Sequence, residues 1–199
     1  MAIKFQYNKT SLQNLSKQLK MRQRALPTLK NKESALRSEV KRSKDKAIAL
    51  DNELNKELER YNEMMRLWGE FDASLLKVVD VDLSVKKIAG VLTPILDKIH
   101  FEQVSYNPFT SPVWFADGIA ILRELARMGI EREVWLRKME LLDYARKKTT
   151  QKVNLYEKVQ IPGFEDAMRK IKRFLEDEEN LSKSSQKIVK TRQEQEVEL

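Results

Sequence analysis

A seven-residue repeat of apolar positions over residues 12–71 is the feature that most constrains how this chain can fold. One series consists of Leu12, Leu19, Leu26, Glu33, Val40, Ala47, Leu54, Tyr61 and Trp68, and the other of Leu15, Arg22, Leu29, Leu36, Ser43, Leu50, Glu57, Met64 and Phe71. Fourteen of these eighteen positions are apolar. Alternating steps of three and four place them on one stripe of a helix, and a repeat held this long predicts a left-handed supercoil.

A single helix over residues 12–71 would be about 90 Å long at the α-helical rise. Its apolar stripe needs a partner helix to bury it. The polar side chains of Asn8, Thr10 and Ser11 are candidates for the N-cap. Pro27 lies inside the stripe, and we expect it to kink the helix without ending it, because the repeat keeps its phase on both sides.

The middle of the chain, residues 73–115, has a different pattern. Four of the chain's ten Gly and Pro residues fall here: Gly90, Pro94, Pro108 and Pro112. β-Branched and apolar residues cluster in segments 75–92 and 95–106, which predicts two short strands with their turn near Thr93 and Pro94.

A second helical region follows Pro112, with Asp117 as its predicted cap. Its helically spaced apolar residues are Ile119, Leu122, Leu125, Ala126, Trp135, Met139, Leu142, Val153, Tyr156, Phe164, Met168, Ile171, Leu175, Leu181 and Ile188. We expect a bend at Pro162 and Gly163, a weakened stripe over the polar residues 146–152, and fraying at the last residues.

These parts predict a mostly α fold, a long antiparallel two-helix coiled coil with a small central insert that contains a short β-hairpin. The predicted divisions are an N-terminal long helix at 1–72, the insert at 73–115, and a C-terminal long helix with a frayed tail at 116–199. Sequence also permits both helices to pair with a second copy of the chain.

Residues for catalysis or cofactor binding do not group in this sequence. It has no GxxxxGK[ST] motif, no Cys and one His, so we expect no P-loop nucleotide site, no metal site, no cofactor and no enzymatic activity. No run of eighteen apolar residues and no signal-peptide pattern occurs. We therefore expect a cytoplasmic protein that does not insert into a membrane, or one peripheral to a membrane.

Positive charge is concentrated in residues 1–50. They hold thirteen Lys or Arg against three acids, an excess of ten that is larger than the net charge of +8 for the whole chain. Such a segment can meet nucleic acid, anionic lipid or an acidic protein surface, or can simply be the solvated face of a helix. A basic homodimeric scaffold and a nucleic-acid-binding protein are the alternatives, although aromatic residues are not interleaved with the cations as base stacking requires.

Three segments carry a resemblance to one family. They are TSLQNLSKQLKMRQRALPTLKNKESAL at 10–36, IAGVLTPILDKIHFE at 88–102 and KVNLYEKVQIPGFEDAMRKIKRFLEDEE at 152–179. In this order they resemble the D subunit of V-type (V/A-type) ATPases and ATP synthases. Pro27 and the polar patch at 146–152 depart from the family pattern.

The resemblance implies a non-catalytic central rotor shaft that carries torque and binds no nucleic acid. Its implied partners are the catalytic and regulatory subunits of the ATPase hexamer, the F subunit, and the funnel-like C/d subunit on the membrane rotor ring, so that it would be peripheral to the membrane as part of a membrane-bound complex. By charge and position, the predicted hexamer contacts form a charged tip: Lys9, Lys17, Lys20, Arg22, Arg24, Lys183, Lys187, Lys190 and Arg192.

Overall fold

The computed structural model describes residues 3–107, 109 and 111–197, and it confirms the predicted fold class. The elements in chain order are α1 (Lys9–Arg60), a 3-10 turn (Asn62–Met64), α2 (Met65–Trp68), a second 3-10 turn (Ala73–Leu75), β1 (Leu76–Ile88), β2 (Val91–Gln103), α3 (Phe115–Asn154), a π-helical segment (Leu155–Gln160) and α4 (Ile161–Val197). The chain divides into two compact units. We call Met1–Asn31 with Thr149–Leu199 the terminal unit, and Lys32–Lys148 the hairpin unit.

An antiparallel helix pair forms the core of the terminal unit. Leu15 of α1 is buried with Phe164, Ala167 and Ile171 of α4, and Leu12, Leu19, Met168 and Leu175 pack around them. Arg22 Nε donates to Gln160 Oε1 at 2.6 Å, and Lys30 Nζ lies 2.6 Å from Glu157 Oε1. Residue numbers rise along one helix as they fall along the other, so the predicted antiparallel pairing is confirmed here.

The residues before α1 form an apolar strap over this helix pair. Ile3 and Phe5 pack against the core, and the ring of Tyr7 lies 4.9 Å from that of Phe174. A Cβ on Gly163 would stand 3.0 Å from Ile3 Cδ1. Glycine at this position therefore lets the strap lie close to α4.

Asn8 is the cap of α1 among the three predicted candidates. Its Oδ1 accepts a hydrogen bond from the backbone N–H of Ser11 at 2.7 Å. This bond satisfies one of the N–H groups that the first helical turn leaves without a partner. The helix then continues through Pro27, as predicted.

In the terminal unit, Pro27 of α1 and the π-helical segment before α4 lie side by side. The sequence predicted a bend at Pro162 and Gly163, and this stays a prediction. The structure has a π-helical segment in the six residues just before Ile161. Proline has no N–H and its ring crowds the carbonyl four residues earlier, so a widened turn ahead of Pro162 relieves that conflict. The bonds from Arg22 to Gln160 and from Lys30 to Glu157 place Pro27 beside this segment.

Helix α4 continues to Val197. Fraying was predicted for the last residues of the chain. Residues 198–199 among them lie outside the described residues, so fraying there stays a prediction.

In the hairpin unit, α1 and α3 are also antiparallel. Leu36, Ala47 and Leu142 are buried, and Arg132 Nε lies 2.6 Å from Asp51 Oδ1. Ser43, a polar residue in the apolar repeat, is fully buried at 0% exposure. Its small side chain fits the seam, so the repeat tolerates it.

The predicted end of the first helix was wrong. Helix α1 stops at Arg60, and the rest of the repeat continues as short turns before β1. Asn62 is a weak helix former, and the residues after it pack as an aromatic cluster. Trp68 lies 5.4 Å from Trp114, and Phe71 lies 5.2 Å from Phe115, centroid to centroid. Tertiary packing here overrides the periodic pattern.

The start of the second helix also differs from the prediction. Helix α3 begins at Phe115, so Asp117 lies in its first turn and is not the cap. Phe115 and Ile119 are buried with Leu75. The first turn of α3 is thus fixed by packing against the aromatic cluster, and a carboxylate within it is favourable to the helix dipole.

The hairpin turn lies at Ala89 and Gly90, not near Thr93 and Pro94 as predicted. Both turn residues have positive φ, 47° and 84°, which matches the turn type whose twist suits a two-residue hairpin. Thr93 instead pairs with Lys86 in the ladder, and its buried Oγ1 donates to the Lys86 carbonyl at 2.9 Å. Pro94 pairs with Val85 inside β2.

Candidate functional site

The nine predicted contact residues all belong to the terminal unit, but they do not form a single tip. Lys9 lies near Glu179, since its charge helps to lower the pKa of that carboxyl. At the α-helical rise per residue, Arg24 lies about 22 Å from Lys9 along α1. Arg192 lies about 20 Å from Glu179 along α4, in the opposite direction. The predicted contact residues are therefore spread along the axis of the terminal unit.

Arg22 is partly buried in the helix pair, where its guanidinium contacts residues of both helices. Its guanidinium lies 4.5 Å from the ring centroid of Phe164 and 6.0 Å from that of Tyr156. It also donates to Gln160 Oε1 at 2.6 Å and to the carbonyl of Gln18 at 3.1 Å. A planar cation between aromatic faces is a favourable packing element, so Arg22 belongs to the seam where the repeat placed it.

Lys17, Lys20 and Arg24 form a stripe on the outer side of α1. All three are exposed, and their spacing of three and four residues puts them on one face of the helix. The face points away from the seam because Leu15 and Leu19 occupy the opposite side. These cations are available to an acidic surface.

The other four cations lie on the part of α4 that extends past the start of α1. We call residues 180–197 of α4 the overhang. Every side chain described from Glu176 to Gln193 is exposed, so within the described part of the chain no helix packs on this length. Lys183 Nζ lies 2.7 Å from Glu179 Oε1, and that bond lowers the pKa of Glu179 more than any other contact does.

The overhang continues the apolar repeat without burying it. Leu181 is 69% exposed and Ile188 is 56% exposed, with Val189 beside them at 55%. Leu181 and Ile188 are seven residues apart and share a face, while Lys183, Lys187 and Lys190 share the opposite face. From Leu181 to Gln193 the charged residues are all cations. The surface is that of an amphipathic helix without its partner.

Sequence reasoning placed Leu181 and Ile188 in the seam and missed the strap. The repeat itself gave no sign that α1 begins too late to cover them. For the strap, the alternation of Ile3, Phe5 and Tyr7 with polar residues was the available signal, because it indicates an extended segment with one apolar face.

The sequence of this chain is similar to known proteins over most of its length. A family model described as the ATP synthase D subunit matches residues 11–191. The chain is similar to the V-type ATP synthase D subunit of Borreliella burgdorferi, at 30% identity over 191 residues and 94% of each chain. It is 26% identical over 182 residues to the same-named protein of Chlamydia pneumoniae, covering 89% of this chain and 87% of the relative.

A third relative, from Chlamydia trachomatis serovar L2, is 27% identical over 204 residues and 98% of each chain, and it carries the same name. The similarity thus covers both units of the structure. Among the residues that the structure describes, no helix combines the length and the apolar character needed to cross a membrane.

Proposed function

Because the chain belongs to the family of ATP synthase D subunits, we propose that it is the central-stalk rotor shaft of a V-type ATPase or ATP synthase. In this role it carries torque between the hexamer that hydrolyses or makes ATP and the ion-translocating rotor in the membrane. It does no chemistry itself. Its partners are the catalytic and regulatory subunits of the hexamer, the F subunit and the funnel-like C/d subunit, and it is peripheral to the membrane.

The overhang of α4 is the observation that carries this proposal. A lone helix that exposes Leu181 and Ile188 to water is costly unless a partner covers them, because each buried aliphatic side chain contributes about 1.5–3 kcal/mol. The hexamer supplies that cover when the overhang enters its central cavity. The absence of acids between Leu181 and Gln193 fits a cavity wall that is acidic at this depth.

The cations on the outer face of α1 have a second role in the proposal. Lys17, Lys20 and Arg24 are exposed and separated from the overhang along the axis. Exposed charges give modest, salt-screened attraction, which suits a bearing surface that must slide. Arg22 is left out of this contact set because it is stacked on Phe164.

Co-purification tests the proposal. The chain is expressed with the catalytic and regulatory hexamer subunits and the F subunit of its own organism, and the complex is sized by chromatography with mass determination. We expect one copy of this chain with the F subunit in a hexamer-sized complex. A free dimer that ignores those subunits would contradict the shaft and support the scaffold alternative.

Matched variants locate the contact. Leu181→Ser with Ile188→Ser is expected to weaken hexamer binding by at least about tenfold, which corresponds to the loss of about 1.4 kcal/mol. Val79→Ser with Val85→Ser removes apolar side chains of similar exposure, 63% and 66%, from the hairpin unit and is expected to leave hexamer binding within about twofold. Equal loss in both variants would show that general apolar exposure, and not the overhang, drives assembly.

Neutralising the exposed cations tests the bearing surface. Changing the eight predicted contacts other than Arg22 to Gln together is expected to weaken hexamer binding or ATP-driven rotation. Unchanged hexamer binding and rotation would show that these cations are not hexamer contacts. The test of Leu181 and Ile188 would not be affected by that outcome.

A further inference from the structure

The hairpin unit contains a cleft that the proposed shaft function does not use. It has a volume of about 770 Å³ and runs along β2, with α1 and α3 as its other walls. Consecutive residues Pro94 to Ile99 all line it. Lys86 and Ile88 of the paired strand β1 line it as well, so the cleft lies against the hairpin beside both strands and is not confined to the free edge of β2.

In the part of the chain that the structure describes, strand β2 has one edge without a partner strand. Within the described residues the sheet has two strands, and β2 pairs only with β1. Pro94, near the start of β2, offers no N–H, so this edge is less favourable for pairing with another copy of the same strand. A bound segment would be held mainly by side chains.

Five cations line the cleft, with Lys98 and Arg127 among them, and the other three come from three different elements. Arg42 comes from α1, Lys86 from β1 and Lys138 from α3. Burial lowers the pKa of Lys138 most, Glu39 raises it, and Arg42 and Lys86 lower it further. Glu39 is shared, because it also lies 3.9 Å from Arg42. Lys138 therefore lies within electrostatic reach of Arg42, Lys86 and Glu39, and the excess of cations over carboxylates in the lining favours an added anion.

Apolar side chains lie next to these cations. Ile88, Ile95 and Ile99 line the cleft and are half-buried, and Trp135 lies on the α3 wall with Lys138 Nζ 4.2 Å from its ring centroid. Such a wall takes aliphatic side chains well and phosphate groups poorly. The carboxylates of Asp97 and Glu131 also line the cleft, and they oppose a dense polyanion more than a segment whose few carboxylates are spaced to meet the cations.

We propose that this cleft is a docking site for an extended acidic segment of another protein. The carboxylates of that segment lie among Arg42, Lys86 and Lys138, and its apolar side chains pack on Ile95, Ile99 and Trp135. A segment of about seven residues matches the cleft, because an extended chain rises ~3.3 Å per residue along the stretch from Pro94 to Phe101. The charge and the mixed lining together favour this occupant over nucleic acid or free phosphate.

A binding experiment on the full chain tests the proposal. The probe is a fluorescein-labelled peptide of alternating Glu and Leu, compared with the same peptide carrying Gln for Glu, with binding followed by fluorescence anisotropy at low salt. We expect the acidic peptide to bind and the Gln peptide to bind at least about tenfold more weakly. Equal binding of the two peptides, or no binding of the acidic one, overturns the proposal.

Charge-reversal variants place the peptide. Arg42→Glu with Lys138→Glu is expected to reduce affinity by at least about tenfold. The control, Lys44→Glu with Arg137→Glu, makes the same change in net charge at exposed residues of the same two helices outside the cleft and is expected to stay within about twofold. Equal losses would show non-specific attraction and would overturn the site.

Two further measurements separate loss of the site from loss of the fold. Arg42→Gln with Lys138→Gln repeats the test without adding negative charge, and circular dichroism confirms that each variant is folded. Tripolyphosphate is added as a competitor. If it displaces the peptide at equal concentration, the cleft is a general anion site and the assignment to a protein segment is wrong.

Discussion

Helix α4 has two halves that follow one apolar repeat and meet different surroundings. Between Phe164 and Leu175 the residues that face the seam are covered by α1 and the strap, and Ile171 is 0% exposed, although Phe174 on the outer side stays 45% exposed. From Leu181 onwards the same spacing lies in water, with Ile188 56% exposed. The comparison separates two uses of a heptad: one half holds the chain together, and the other half is, in the proposed function, kept for a partner.

The largest expected effect distinguishes these halves directly. Ile171→Ala should lower the free energy of unfolding by about 2–5 kcal/mol, because it leaves a cavity in a fully buried seam. Ile188→Ala should change it by no more than about 0.5 kcal/mol. Chemical denaturation followed by circular dichroism measures both. A cost at Ile188 equal to that at Ile171 would mean that the overhang is already paired in the isolated chain.

Two neighbouring arginines sharpen the comparison on the α1 side. Arg22→Ala should cost about 1–2 kcal/mol, since it removes the stacking on Phe164 and the hydrogen bond to Gln160. Arg24→Ala, at an exposed position of the same helix, should stay within about 0.5 kcal/mol. Denaturation curves give the free energy of unfolding of both variants. Similar losses would argue against the packing role of Arg22 and favour it as a partner contact.

The capped start of α1 gives a smaller effect. Asn8→Ala should destabilise the chain by about 1 kcal/mol through loss of the bond to the Ser11 N–H. Asn14→Ala changes the same residue type in the helix interior and should be neutral or slightly stabilising, because Ala is the better helix former. Melting temperatures of both variants provide the test, and loss of stability in both would argue against the cap.

The smallest effect concerns the carboxylate at the boundary between the two halves. The hydrogen bond from Lys183 and the charge of Lys9 hold the pKa of Glu179 below its ordinary value of 4.5. Its contribution is therefore fully present above that ordinary value and is lost as pH falls through the lower pKa of the folded state. Glu179→Gln should reduce the melting temperature slightly at neutral pH, with a difference that shrinks on acidification. A difference that grows in acid would reverse this assignment.

Sequence reasoning predicted the helices, their antiparallel pairing and the presence of a hairpin, because periodic burial imposes a regular spacing over many residues. It failed where one local contact decides the structure. The aromatic cluster around Trp68 and Phe115 ends α1 early. The hairpin turn depends on the positive φ angles of Ala89 and Gly90, whereas the sequence pattern pointed to Thr93 and Pro94. Tertiary packing and turn geometry have no period to detect.

The candidate site was harder to predict for a similar reason. Charge alone grouped Arg22 with Lys17 and Lys20, although the aromatic rings that hold Arg22 come from residues more than a hundred positions later in the chain. The exposure of Leu181 and Ile188 depends on where α1 begins. The apolar repeat of α4 carries no information about the length of the helix that packs against it.

Because Pro27 lies beside the π-helical segment, amide hydrogen exchange should differ along the helix pair. At this level both members of the helix pair interrupt their regular ladder, and side-chain bonds from Arg22 to Gln160 and from Lys30 to Glu157 bracket the gap. The Lys30 bond is between exposed partners, so salt screens it. We expect backbone amides here to exchange ahead of those beside Leu15 and Ile171 and to respond to ionic strength, so that the helix pair opens at this level before it opens at its buried core.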